Sequence, residues 1–144
     1  MRLSTKCHLG VRVMLELAGL ASAETLTLRE LAHRESTSEK YLWQVLNALT
    51  SSGLVRAARG AQGGYQLARP SHAINLKDIV FALDGPSKLV AALKIKNSER
   101  GVERVECEIW VQMEQAIVRY LEKFSLTELR ERCDKHNQSP DYVI

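Results

Sequence analysis

Two helix-start signals in close succession constrain this chain more than any other feature of its 144 residues. In Thr27-Leu28-Arg29-Glu30 a hydroxyl and a carboxylate have the spacing of a capping box, in which each accepts a backbone N–H at the start of a helix. The helix that follows carries Leu28, Leu31 and Ala32 and must be short, because Ser36-Thr37-Ser38-Glu39 repeats the signal. Leu42, Val45, Leu46 and Leu49 then recur at helical spacing until Ser51-Ser52-Gly53 ends the run. Two short helices across a tight turn predict a helix-turn-helix. Immediately afterwards the runs Leu54 to Arg59 and Tyr65 to Ala68 flank Gly60-Ala61-Gln62-Gly63-Gly64, which predicts a β-hairpin with a glycine-rich tip, placed as a wing.

The rest of the chain reads as helices around this unit. From Ser4 or Thr5 to about Ala21, Cys7, Val11, Met14 and Ala18, with Leu15 and Leu17 beside them, predict an amphipathic first helix. Asn75 caps a fourth helix with Leu76, Ile79, Val80 and Leu83 on its buried side, ending at Asp84-Gly85-Pro86. Weak periodicity from Ser87 to Arg104 predicts a loop. From Glu106 to Phe124 the set Ile109, Trp110, Met113, Ala116, Ile117, Tyr120, Leu121 and Phe124 forms a stripe broad enough for more than one neighbour, which suggests dimerisation. Ser125-Leu126-Thr127-Glu128 opens a short last helix with Leu126 and Leu129, and residues after Asp134 read as a tail. The expected fold is mainly α with a small β-hairpin. It comprises a winged helix-turn-helix over 1–83, a loop over 84–105, a dimerisation helix and a short final helix over 106–134, and a tail over 135–144.

Projected at the helical period, Lys40, Trp43, Gln44 and Asn47 fall opposite the apolar stripe of the third helix. Gln44 and Asn47 offer paired donors and acceptors to base edges, Lys40 suits a phosphate or guanine, and Ser38 and Tyr41 near the helix start can reach the DNA backbone. The wing adds Arg56, Arg59 and Gln62, with Gly60 and Gly63 allowing close approach to a narrow minor groove. The bland alternative is a solvated helix face and a turn bearing solubilising charges. Residues 1–70 hold nine Lys/Arg against five Asp/Glu and residues 71–144 eleven against twelve, a modest asymmetry that a solvated surface explains at least as well as a nucleic-acid partner when taken alone, and that counts only beside the motif. No apolar run reaches membrane-spanning length and the N-terminus lacks the apolar block of a signal peptide, so a cytoplasmic protein is expected. The three cysteines, Cys7, Cys107 and Cys133, form no Cys-x-x-Cys pair, and the four histidines are scattered without a nucleophile motif, so neither a zinc finger nor an enzyme is indicated.

The stretches Leu3-Ser4-Thr5-Lys6, Glu39-Lys40-Tyr41-Leu42, Ser52-Gly53-Leu54-Val55, Arg59-Gly60, Gly63-Gly64-Tyr65-Gln66-Leu67-Ala68-Arg69-Pro70, Asp84-Gly85-Pro86 and Trp110 resemble the Rrf2 family of bacterial transcription regulators over about residues 1–130. The resemblance implies a winged-helix homodimer joined by a long C-terminal helix. It implies no cysteine-ligated cluster: the three cysteines of cluster-binding members fall here on Ala92, Ser98 and Arg104, and Cys107 takes the place of a histidine ligand before the helix Trp. The cofactor is therefore left open. Trp43 departs from members with an acidic residue there, so no operator sequence carries over.

The function expected is a sequence-specific transcriptional regulator, a repressor, whose homodimer reads a pseudo-palindrome in double-stranded DNA and responds to a redox, metal, small-molecule or partner-protein signal. The alternative is a winged-helix protein–protein module, anchored by Trp43, that regulates a partner enzyme. The resemblance also suggests a sensor in which Cys107, activated by the start of the long helix, meets Cys7 or His8 of the partner subunit. Against it stands inert packing, since Cys7 lies on the apolar stripe of the first helix.

Overall fold

Side chains that accept the unpaired N–H groups of a helix start define most of the elements in the computed structural model, which describes residues 2–61, 63–86 and 100–139. Ser4 Oγ accepts from Cys7 N at 3.0 Å and opens α1 (Thr5–Ala18). Thr27 and Glu30 form the expected reciprocal box at α2 (Leu28–Arg34), with N–O distances of 3.1 and 2.7 Å. The Glu30 carboxylate accepts the Thr27 backbone N–H and, at 2.8 Å, the Thr27 hydroxyl as well, and these two bonds, the backbone one first, hold it below its ordinary pKa. Ser38 caps α3 (Glu39–Ser51), Asn75 and Asp78 box the start of α4 (Leu76–Asp84), and Ser125 caps α6 (Leu126–Gln138). α5 (Gly101–Glu122) is the exception, with no side-chain cap.

Between α3 and α4, β1 (Val55–Ala58) pairs antiparallel with β2 (Gly64–Leu67), Val55 opposite Leu67 and Ala58 opposite Gly64. Leu26, in the loop before α2, exchanges both backbone hydrogen bonds with Tyr65, at 3.1 and 2.7 Å, so the wing is stitched to the helix-turn-helix. This crossing requires Gly64: a Cβ there would sit 2.7 Å from Leu26 O, a backbone atom that cannot step aside.

The core lies where α1, α3 and α4 meet. Leu42, Val45, Leu46 and Leu49 of α3 are buried, as their spacing predicts, against Val13, Met14 and Leu17 of α1 and Ile79, Val80 and Leu83 of α4. Leu31, Leu54, Val55, Ile74 and Leu126 close its edges. On α1 the buried face is Cys7, Leu9, Gly10, Val13, Met14 and Leu17, with Val11, Leu15 and Ala18 only partly covered. The stripe is thus rotated from the one the sequence suggests, because Gly10 sits in it: a Cβ there would come within 2.1 Å of Leu83 Cδ1, so α1 meets α4 at this point.

Asp84, the last residue of α4, is the one buried acidic side chain among the described residues. Its carboxylate accepts the Ser4 backbone N–H at 2.9 Å and the Ser4 hydroxyl, placing negative charge at the N-terminus of α1. Two stretches that the sequence shows far apart, Leu3-Ser4-Thr5-Lys6 and Asp84-Gly85-Pro86, therefore form one joint.

Two element boundaries differ from the sequence reading. α5 starts at Gly101 rather than Glu106, because its first turn relies on an Arg100–Glu103 ion pair of 2.9 Å and not on a capping residue. α6 continues through residues read as a tail, supported by the Arg130–Asp134 and Arg132–Glu128 pairs one turn apart, while Arg130 Nη1 donates to Leu15 O at the end of α1. The turn between α5 and α6 is fixed by Leu76 N to Phe124 O at 2.9 Å and Leu126 N to Ile74 O at 2.8 Å. Among the described residues no helix is long and apolar enough to cross a membrane.

Candidate nucleic-acid interface

Burying four apolar side chains of α3 turns the rest of the helix outward. Lys40, Gln44 and Asn47 are exposed, and so is Trp43 at 52%. Lys40, Trp43 and Asn47 follow one another at helical turns along this face, with Gln44 alongside. Ser38 is exposed, but its hydroxyl accepts the Tyr41 N–H at 3.2 Å, so it both caps α3 and stands at the helix entry. Tyr41 is half buried and packs against the core, which leaves it less free to reach a phosphate than the sequence suggests.

The wing places its basic side chains unequally. With the Gln66 amide oxygen turned toward it, Arg56 donates to Gln66 across the hairpin at 3.1 and 3.3 Å, so its guanidinium is held against the sheet. Arg59 is exposed at the end of β1 and, among the described residues, has no ion-pair partner. Gly60 adopts φ +112, and Gly63 N donates to Gly60 O at 2.9 Å, closing the tip. Gln62 lies outside the described residues. The arrangement presents a helix of donors and acceptors beside a hairpin ending in a free guanidinium, chemistry suited to base edges and phosphates.

Cys7, Cys107 and Cys133 are all free thiols. Cys7 is buried in the core, and desolvation, reinforced by the nearby Asp84 carboxylate, pushes its thiol up to about 11. A thiolate there is disfavoured at neutral pH. Cys107 is half buried on α5, more than a turn beyond Gly101, so the helix start expected to activate it lies too far off. His8 is exposed on α1. Alkylation of the native protein at pH 8 should leave Cys7 unmodified by peptide mass mapping, whereas denatured protein should be modified there. Labelling of native Cys7 at the denatured rate would contradict its burial. Because the folded thiol stays protonated where the unfolded one ionises, this group's effect on stability is absent below about pH 9 and destabilises the fold as pH rises from 9 toward 11.

A helix-turn-helix with an exposed polar face on its second helix, followed by a stitched wing, defines a winged helix-turn-helix transcriptional regulator. Comparison with known proteins agrees. The family described as Rrf2, iron-dependent transcriptional regulator, matches residues 3–132. The HTH-type transcriptional regulator CymR of Bacillus subtilis (strain 168) is 31% identical over 144 residues, covering 100% of both chains. Its solved structure, that of the global cysteine regulator of B. subtilis, superposes with a TM-score of 0.76 over 92% of this chain and 98% of that one. The structure of T. potens IscR gives 0.78 at 32% identity, over 99% and 95% of the two chains. This chain belongs to the Rrf2 family.

Iron dependence in the family description calls for donors, and those present here do not fit a cysteine-ligated cluster. Of the positions where the resemblance puts the cluster cysteines, Arg104 is an exposed cation on α5, while Ala92 and Ser98, outside the described residues, carry no thiol. The buried Cys7 thiol is held protonated, and among the described residues no three His, Cys, Asp or Glu side chains gather as a metal site.

Sequence reasoning missed three features. Gln66 as the partner of Arg56 requires the hairpin register. The Ser4–Asp84 joint requires the packing of α1 on α4. Val102 and Val105, exposed at the start of α5, extend the stripe that continues at Ile109, and their spacing was visible in the sequence once the helix start was moved back.

Proposed function

We propose that this chain is a homodimeric, sequence-specific repressor that reads a pseudo-palindromic site in double-stranded DNA, one α3 per half-site, with Arg59 of each wing in the flanking minor groove. The observation that carries this is the outward face of α3: Lys40, Trp43, Gln44 and Asn47 stand exposed on a helix whose opposite face is locked into the core. Ser38, Tyr41 and Arg56 stand behind them near the DNA backbone, and Gly60 and Gly63 shape the wing tip.

Dimerisation rests on α5. Its Ile117, Val118 and Leu121 pack on the core, whereas Val102, Val105, Ile109 and Tyr120 are each more than half exposed and Met113 stands open between them. A helix of 22 residues with none buried in its own protomer is suited to a second copy of itself. The domains then divide as a DNA-binding unit over 1–83, a sensor region over 84–105 and a dimerisation unit over 106–134, with α5 reaching back to Gly101 and α6 running on to Gln138. We assign it no catalytic role and place it with the DNA in the cytoplasm. For the signal, a redox, metal or small-molecule input or a partner protein suits the donor chemistry better than a cysteine-ligated cluster does, and Cys107 is the thiol closest in sequence to the proposed sensor region.

Footprinting and equilibrium binding test this reading. Arg59→Ala should weaken binding by about 1–3 kcal/mol across sites, the loss of a groove contact, while Gln44→Ala should chiefly relax preference at one base pair. Unchanged affinity and preference in both variants would place the DNA-reading surface elsewhere.

A further inference from the structure

Trp43 is the one feature of the interface that a polar DNA-binding surface does not by itself require. It sits midway along the outward face of α3, a turn from Lys40 on one side and from Asn47 on the other, half of its surface in solvent. Among the described residues its indole N–H meets no acceptor, unlike the indole of Trp110, which faces Glu106 Oε1 at 3.5 Å. An exposed indole of this size, flanked by Lys40, Gln44 and Asn47, suits a partner that is apolar on one side and polar around it.

The major groove offers one such base edge. Thymine presents a methyl group beside the O4 acceptor, whereas cytosine presents an amino donor and no methyl. Indole has an apolar face and a single donor, with no acceptor for a cytosine amino group. We propose that Trp43 is a specificity-determining residue that reads thymine: in each half-site its indole packs on the C5-methyl group of one T, and cytosine at that position leaves its amino donor unsatisfied. Lys40 and Asn47 contact the neighbouring positions along the same groove. The proposal rests on the DNA-reading role of α3 and adds the base it selects at its centre.

Deoxyuridine lacks only the methyl group, so it isolates this contact. A site obtained from a random DNA pool with the full-length protein is resynthesised with each T replaced in turn by U, and binding is measured at an ionic strength low enough to retain the variants. For the wild type, one symmetry-related T per half-site should lose about fourfold in affinity on replacement, the factor corresponding to roughly 0.8 kcal/mol per buried methyl-sized group. At that position 5-methylcytosine should recover part of what cytosine loses. Trp43→Ala should bind T and U probes there equally while remaining sensitive at other positions, and Trp43→Phe should retain part of the methyl effect. Wild-type indifference to U at every position, or undiminished T-over-U discrimination by Trp43→Ala, overturns the thymine assignment and leaves DNA reading by α3 intact. If the protein selects no DNA sequence at all, it is the DNA-reading role itself that fails.

Discussion

Met113→Glu should convert the protein to a monomer and lower its affinity for a two-half-site operator by roughly 10²- to 10⁴-fold, the gain that linking two binding modules typically supplies. Met113 stands at the middle of the exposed apolar face of α5, between Ile109 and Tyr120. Placing a carboxylate there costs less in an isolated protomer, where the side chain is partly in solvent, than in a dimer interface, where it buries an unpaired charge duplicated by symmetry. The two effects can be separated: sedimentation should show a monomer, while circular dichroism should show helix content near that of the wild type. The inward residues of the same helix, Ile117 and Leu121, make the contrasting case, since a charge there would damage the protomer itself. A Met113→Glu dimer with full operator affinity would remove α5 from the interface.

The second large effect is on the protomer. Leu46→Ala should lower stability by about 2–5 kcal/mol, because Leu46 is fully buried where α3 meets α1 and α4, and truncation leaves a cavity those helices cannot collapse to fill. Against a total of about 5–15 kcal/mol for an ordinary domain, that is a large fraction. Asn47→Ala, one position on but facing solvent, should stay within about 0.5 kcal/mol. Urea denaturation at one fixed protein concentration compares them, with a shift in midpoint expected for the first and not the second. Equal midpoints would mean that α3 does not pack as described.

What was legible in the sequence is what local chemistry determines. Caps at Thr27, Ser38, Asn75 and Ser125 each placed a helix start, because a side chain binding a backbone N–H within its own turn needs no tertiary partner. The α3 stripe was legible for the same reason, its apolar side being narrow and bounded by polar residues. Where the outcome depends on a neighbour, the sequence said less. The face of α1 was misplaced because Gly10, which counts for nothing in a hydrophobic pattern, marks the contact with Leu83. Cys107 was credited with a helix-start position that α5, lacking a cap, extends beyond. The Ser4–Asp84 joint spans most of the DNA-binding unit in sequence and no local rule could pair its ends. For the interface the polar face of α3 could be read directly, while the different states of Arg56, held by Gln66, and Arg59, free at the tip, emerged only with the hairpin register.

Selection from a random double-stranded DNA pool by the full-length protein, repeated at two salt concentrations, tests the central claim most directly. Enrichment of a two-fold-symmetric sequence with half-sites separated by whole helical turns, bound with an affinity that falls steeply as salt rises, is the predicted result. Recovery of no common sequence, or of one without symmetry whose binding is indifferent to salt, would contradict it.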